Sequence, residues 1–138
     1  MARKPIILKA QLQSNYTVTG TDWGTGVTDM NFDIPEDGLY MFINHPLMYL
    51  LNSAGTQAYM LCRLAVDGKG LVGTTIKYDM RDGANNIPNS LQGNGIDFMY
   101  CKKGQNIEME AYEDAGYGGL LQAATDVNVT MMMAVKIA

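Results

Sequence analysis

Apolar side chains recur at every second position over short stretches of this chain, and glycine-bearing turns separate the stretches. Residues 28–34 (TDMNFDI) set Met30, Phe32 and Ile34 against Asp29, Asn31 and Asp33, the period of two that a half-buried β-strand imposes. Residues 128–137 (NVTMMMAVKI) put Val129, Met131, Met133, Val135 and Ile137 on one face and Thr130, Met132, Ala134 and Lys136 on the other. Residues 57–66 (QAYMLCRLAV) are apolar nearly throughout, as in a strand covered on both faces. Asp67-Gly68 then predicts a tight hairpin into a strand over 71–79, because glycine supplies the positive φ that such turns need. Further strands are expected at 6–12, 16–19, 39–44, 96–102 and 107–112, the last two joined at Lys103-Gly104. Helical periodicity is scarce. Residues 46–51 (PLMYLL) fit one turn of helix closed by Asn52-Ser53-Ala54-Gly55, and residues 81–94 read as a polar loop. Some nine or ten strands at this spacing predict an all-β sandwich or barrel. The expected unit is one domain over 1–138, with 1–12 as an N-terminal arm or first strand.

The chain's 138 residues suffice for a hydrophobic core, since a domain of this size buries roughly two-thirds of its unfolded surface. Hydrophobic residues make up 47% and charged residues 17%, the latter below the usual quarter. Low surface charge accompanies surfaces that partner subunits cover. A net charge of −4 with scattered Lys and Arg argues against nucleic acid, which demands clustered cations. No apolar run is long enough for a secretory leader or a bilayer span, so neither export nor membrane insertion is expected. Cys62 and Cys101 are the only cysteines, too few for a disulfide framework, and two buried free thiols are favoured over one bridge.

Phe32-Asp33-Ile34-Pro35-Glu36-Asp37-Gly38-Leu39-Tyr40-Met41-Phe42 resembles the C1q-domain signature: an aromatic, a short Pro- and Gly-containing turn, then Gly-x-Tyr-x-Phe. Phe32, Tyr40 and Phe42 read as inward plugs on two paired strands, with Gly38 closing the link. Leu64-Ala65-Val66-Asp67-Gly68 and the run from Tyr100 to Met109 (YCKKGQNIEM) resemble two further elements of the same superfamily, in family order and at family spacing. The resemblance to the C1q/TNF-like superfamily covers nearly the whole chain. It implies a two-sheet antiparallel jelly roll of about ten strands that assembles as a homotrimer, the inner sheet packing around the threefold axis. Tyr59, Phe98, Tyr100, Met131 and Met133 are the candidates for that interface. The sequence departs from animal members at Gln105, where Asp is common, and a collagen-like stalk is not expected. Their ligand loops are not recognisable here.

Chemistry finds little purchase. Gly68-Lys69-Gly70-Leu71-Val72-Gly73 matches G-x-G-x-x-G, but β-prone Thr74-Thr75-Ile76-Lys77-Tyr78 follows where a dinucleotide site needs a helix N-terminus. His45, the sole histidine, has no nucleophile motif nearby, and one His with two distant Cys offers no zinc spacing. Glu108 and Glu110 share a strand face, with Glu113 and Asp114 beyond, and read as a solvated face rather than a hydrolytic pair. Calcium is weighed for Asp79 and Asp82, whose loop adds Asn85 and Asn86 but lacks EF-hand order. Two glycosylation sequons, at Asn15 and Asn128, read as accidental.

The expected function is therefore non-enzymatic: a trimeric structural or binding protein, foremost a bacteriophage virion component (capsid decoration protein or head fibre) assembled in the host cytoplasm onto a capsid shell. The alternative is a receptor- or glycan-binding head, its loops at 44–56 and 80–94 presenting Tyr49, Asn52, Asn85, Asn86 and Asn89. A small hydrolase comes third. The partners expected are sister copies first, then a shell, receptor or glycan.

Overall fold

The computed structural model describes residues 3–18, 23, 26–51, 58–80, 88–113, 119–123 and 128–138. Thirteen strands lie among them: β1 Ile7–Gln11, β2 Tyr16–Val18, β3 Asn31–Asp33, β4 Gly38–His45, β5 Leu47–Leu51, β6 Ala58–Val66, β7 Lys69–Gly70, β8 Ile76–Met80, β9 Pro88–Gln92, β10 Gly95–Cys101, β11 Asn106–Glu113, β12 Gly119–Leu121 and β13 Met131–Lys136. Pairing is antiparallel throughout and forms three ladders: β1-β13-β4-β10, β2-β12-β5-β9, and β3-β11-β6 with β7 and β8 on the far side of β6.

The first two ladders share one register. Gly38 faces Cys101 and Asn44 faces Gly95 across β4 and β10, and Leu47 faces Gln92 and Leu51 faces Pro88 across β5 and β9. A single long pairing is interrupted only at Pro46, which has no N–H to give the ladder. The Pro46 carbonyl still accepts from the Gly93 amide at 2.8 Å. Two layers therefore result, as the jelly-roll expectation required. One is the long pairing with its flanking strands, and the other is built on β6 and β11.

The core lies between them. Tyr40 and Phe42 from β4, Met132 and Ala134 from β13, Met60, Cys62 and Leu64 from β6, and Ile107 and Met109 from β11 are all buried in one cluster. The alternation read from 128–137 holds: Met132 and Ala134 point in, and Met131, Met133 and Val135 lie half-buried on the other face. Tyr40, fully buried, donates its hydroxyl to the Glu36 carbonyl oxygen at 2.8 Å, so the phenol brings a partner inward with it.

Several sequence expectations need correction. Phe32 does not sit on a strand paired with that of Tyr40. β3 pairs with β11 in the second layer, and Phe32 packs half-buried against the core. Residues 46–51 form a strand rather than a helical turn, because tertiary pairing with β9 and β12 overrides local propensity. The polar loop ends early, at Pro88, where proline is tolerated as the first residue of a strand. Residues 71–79 are not one strand. After the turn, where Asp67 has φ 48° and Gly68 φ 77°, a 3₁₀ turn over Val72–Thr74 intervenes before β8. The Thr74 hydroxyl accepts from the Leu64 amide at 2.9 Å, supplying the bond that the bulge takes from the ladder. β12 carried too short a pattern to be read from sequence.

Candidate assembly face

Alternation on β4 sends Tyr40, Phe42 and Asn44 inward, and Leu39, Met41, Ile43 and His45 outward, all four half-buried. The neighbouring strands extend this outward face. Val135 lies opposite Met41, Met133 opposite Ile43 and Met131 opposite His45 on β13. On β10, Phe98 lies opposite Met41, Ile96 opposite Ile43 and Tyr100 opposite Leu39. β1 adds Ile7 opposite Val135 and Lys9 opposite Met133. The result is an apolar surface four strands wide on the side away from the core.

The exposures mark this face as a candidate contact surface. Ile96, Phe98 and Tyr100 are 63–65% exposed and Ile7 57%. These four alone leave on the order of 450 Å² in water, at the limit of what single-chain proteins present as one patch. The charged side chain on the outward face of these four strands is Lys9, at the β1 margin. Among the described residues, β1 and β10 form the two margins of the ladder.

The second layer's outward face is built differently. Arg63 Nε donates to Glu110 Oε2 at 2.7 Å, with both side chains largely removed from water. The guanidinium lies 3.8 Å from the Trp23 ring centroid, and Trp23 leans on Tyr112 at 5.5 Å. Tyr112 in turn stacks on Tyr59 at 6.3 Å, and Lys77 caps Tyr59 at 4.6 Å while pairing with Asp79 at 3.3 Å. Cations here meet rings and carboxylates within the same chain. Gly70 makes room for this: a Cβ there would stand 2.1 Å from the Arg63 guanidinium carbon.

Of the five residues chosen from sequence, Phe98, Tyr100, Met131 and Met133 share the apolar face, and Tyr59 does not. Tyr59 belongs to β6 in the other layer. Its apolar strand is covered on one side by the core and on the other by the ring stack. Sequence reading missed Ile7, Leu39, Met41, Ile43, Ile96 and Val135. The period-two pattern of β4 and β10 contained them, had the face opposite the Tyr40–Phe42 plugs been followed across strands.

The remaining candidates separate. Tyr49 sits within β5, opposite Ser90 and Leu120, and so is part of a ladder rather than a loop. Asn89 has its backbone in β9, while Asn52, Asn85, Asn86 and Asp82 lie outside the described residues. Asp79 is engaged by Lys77, and the described residues hold no cluster of three or more His, Cys, Asp or Glu placed for a metal. The carboxylates of β11 are not a solvated face: Glu110 and Glu113 are buried. Cys62 and Cys101 are free and buried on different layers. Burial pushes both thiols up. The G-x-G-x-x-G match is the β6–β7 turn followed by the 3₁₀ segment, with no helix for a phosphate to cap.

This architecture is the C1q/TNF-like jelly roll. Among solved structures, that of the Eiger TNF of S. frugiperda superposes with a TM-score of 0.64 over 99% of this chain and 94% of its own, at 12% identity. No protein-family model matches the chain, and no curated protein matches it in sequence. Among the described residues, no helix is long and apolar enough to cross a membrane.

Proposed function

We propose that this chain is a non-enzymatic structural or binding protein that works as a homotrimer closed through the outward face of β1, β13, β4 and β10. The observation that carries this is the exposure of Ile96, Phe98 and Tyr100 beside half-buried Met41, Ile43, Met131 and Met133. The layout favours a ring over a two-fold pair. The bulky side chains stand on the β10 edge, so one copy's edge meets the next copy's face, a head-to-tail contact that closes by rotation. The superfamily resemblance supplies the number three. Such obligate contacts bury about 2,000 Å² or more.

Within that reading, the favoured setting is a virion, with the trimer decorating a capsid shell or forming a head fibre; this rests on analogy with other small trimeric jelly rolls. Support for a structural role over a glycan-binding head comes from Tyr49, the one aromatic proposed for sugar stacking, being held in β5. Native mass spectrometry at 10–20 µM protein (on the order of typical working concentrations) tests the trimer: three copies are expected, and a well-dispersed monomer refutes it. Capsid and portal genes beside this one support the virion setting, whereas tail-fibre neighbours or glycan-array binding transfer the trimer to the receptor-binding role.

A further inference from the structure

One end of the sandwich gathers exposed cations, in a chain whose net charge is −4. The turns at 34–37, 67–68 and 102–105 meet there with the stretches 3–6 and 136–138, all within the described residues. Backbone bonds of 2.8–2.9 Å tie these segments together. The Gly104 amide donates to the Ile34 carbonyl, the Asp67 amide to the Asn106 carbonyl and the Leu39 amide to the Ala138 carbonyl. Asp67, Gly68 and Gly104 have positive φ, as tight turns require. Lys4, Lys69, Lys102 and Lys103 stand exposed on or beside these segments.

The carboxylates of this end are already engaged. Glu36 takes the Lys136 ammonium and lies 4.0 Å from the Arg3 guanidinium. Asp37 accepts from the Lys103 amide at 2.8 Å, Asp67 from the Asn106 amide at 2.9 Å and Asp33 from the Asn106 side chain at 3.0 Å. The Lys102 amide meets a neutral group, the Gln105 side-chain oxygen, at 2.7 Å. The ammonium groups of Lys4, Lys69, Lys102 and Lys103 have no carboxylate within ion-pair distance among the described residues. Lys77, on the second layer, shows the other arrangement, paired with Asp79.

We infer that this end is a docking surface for a protein partner whose separate Asp and Glu side chains pair with Lys4, Lys69, Lys102 and Lys103. Complementary charge steers such an encounter and fixes its orientation. The lysines are interleaved with Asp33, Glu36, Asp37 and Asp67. A dense polyanion laid across the end meets like charge at each of these, which is costly. A protein surface can set carboxylates opposite the lysines alone and so avoid that cost. Cations this few and this mixed with acids do not make a nucleic-acid footprint. The inference goes beyond the trimer reading and does not need it. A ring closed through the sheet face proposed above uses faces and edges rather than strand ends, and three copies of this end add avidity.

The test is binding of the full chain to a flexible peptide of alternating Glu and Gly, by biolayer interferometry, with heparin as the dense polyanion. The salt is about 0.01 M, where charges act over roughly 30 Å. Exposed ion pairs contribute about threefold each at the middle of their range, so K102Q/K103Q is expected to bind the peptide roughly tenfold more weakly. K102R/K103R keeps the charge and retains binding. Q13E/S14D changes net charge as much as the Gln pair does but lies beyond Gln11, at the other end of β1; it is expected to stay within about twofold of wild type. No binding by wild type, an unchanged affinity in K102Q/K103Q, or an equal loss in Q13E/S14D overturns the inference. So does tighter binding of heparin than of the peptide at equal charge, which marks a polyanion site instead. A monomer that binds the peptide through these lysines supports this inference and overturns the trimer reading alone.

Discussion

Replacing Phe98 with alanine isolates what the apolar face contributes to assembly. Phe98 is 63% exposed on β10, so of the roughly 200 Å² that such a ring presents, about 130 Å² stays in water in the lone chain. Covering that area contributes about 3 kcal/mol at 25 cal/mol per Å², of which alanine retains a minor part. The loss is then about 2–2.5 kcal/mol per copy and about 7 per trimer, or some five decades in the trimer dissociation constant. The midpoint concentration scales with the square root of that constant, so it rises roughly three-hundredfold. Analytical ultracentrifugation over a dilution series reads this midpoint. V72S is the comparison, because Val72 is 76% exposed but stands on the 3₁₀ turn after β7, outside the four-strand ladder of the face. A shift of only two- or threefold for F98A refutes the argument. So does an equal shift for V72S, since exposure without location would then suffice.

Three further outcomes are expected. G70A forces the Arg63 guanidinium from its place over Gly70 and disturbs its ion pair with Glu110; a loss of about 1–3 kcal/mol in urea unfolding is expected, and an unchanged midpoint contradicts the packing described. Cys62 is fully buried with its thiol pushed up, so it resists thiol reagents in the native protein and reacts once denatured; labelling at the rate of a free thiol would count against the core assignment. Glu36 is held below the ordinary carboxylate value first by its hydrogen bond from Lys136, then by the charges of Lys136 and Arg3. A depressed carboxylate contributes stability that is present above its unfolded value and lost as pH falls through the folded one. K136M should therefore flatten the loss of stability below about pH 4.5, read by thermal melts in an acid series; parallel wild-type and variant curves would dismiss the pair.

What sequence revealed and what it hid differ in kind. Period-two alternation depends on burial of one face, which is why the two faces of Met131–Lys136 were legible within 128–137. The Gly-x-Tyr-x-Phe run was legible because a large plug, a turn glycine and a second plug meet a geometric need that few residues satisfy. Pairing partners were not: Phe32 and Tyr40 are near neighbours in sequence yet lie in different layers, since connectivity is set by contacts no local window contains. Residues 46–51 misled for the same reason, their strand being enforced by β9 and β12 rather than by their own preference. Tyr59, which lies on the other layer from the remaining four candidates, was ambiguous. An apolar outward residue calls for a cover, but sequence does not say whether that cover is another subunit or, as here, Tyr112 and Lys77 of the same chain.

That ambiguity resolves when the two outward faces are compared. Across β6, β8 and β11 the outward positions include Arg63, Lys77, Asp79 and Glu110, and the structure pairs Arg63 with Glu110 and Lys77 with Asp79. Aromatic rings fill the space between, so this face is completed by one chain. Across β13, β4 and β10 the outward positions are Met, Leu, Ile, Val, Phe, Tyr and one His, and no folded segment among the described residues lies over Phe98 or Tyr100. Chain folding alone does not select such a surface, since leaving these rings in water forgoes several kcal/mol of burial. Methionine suits a surface that must conform to another, being unbranched and polarizable, and Met41, Met131 and Met133 share the outward face of β4 and β13. The asymmetry between a finished face and an unfinished one is the argument for proposing the β4 side of the sandwich as the assembly face.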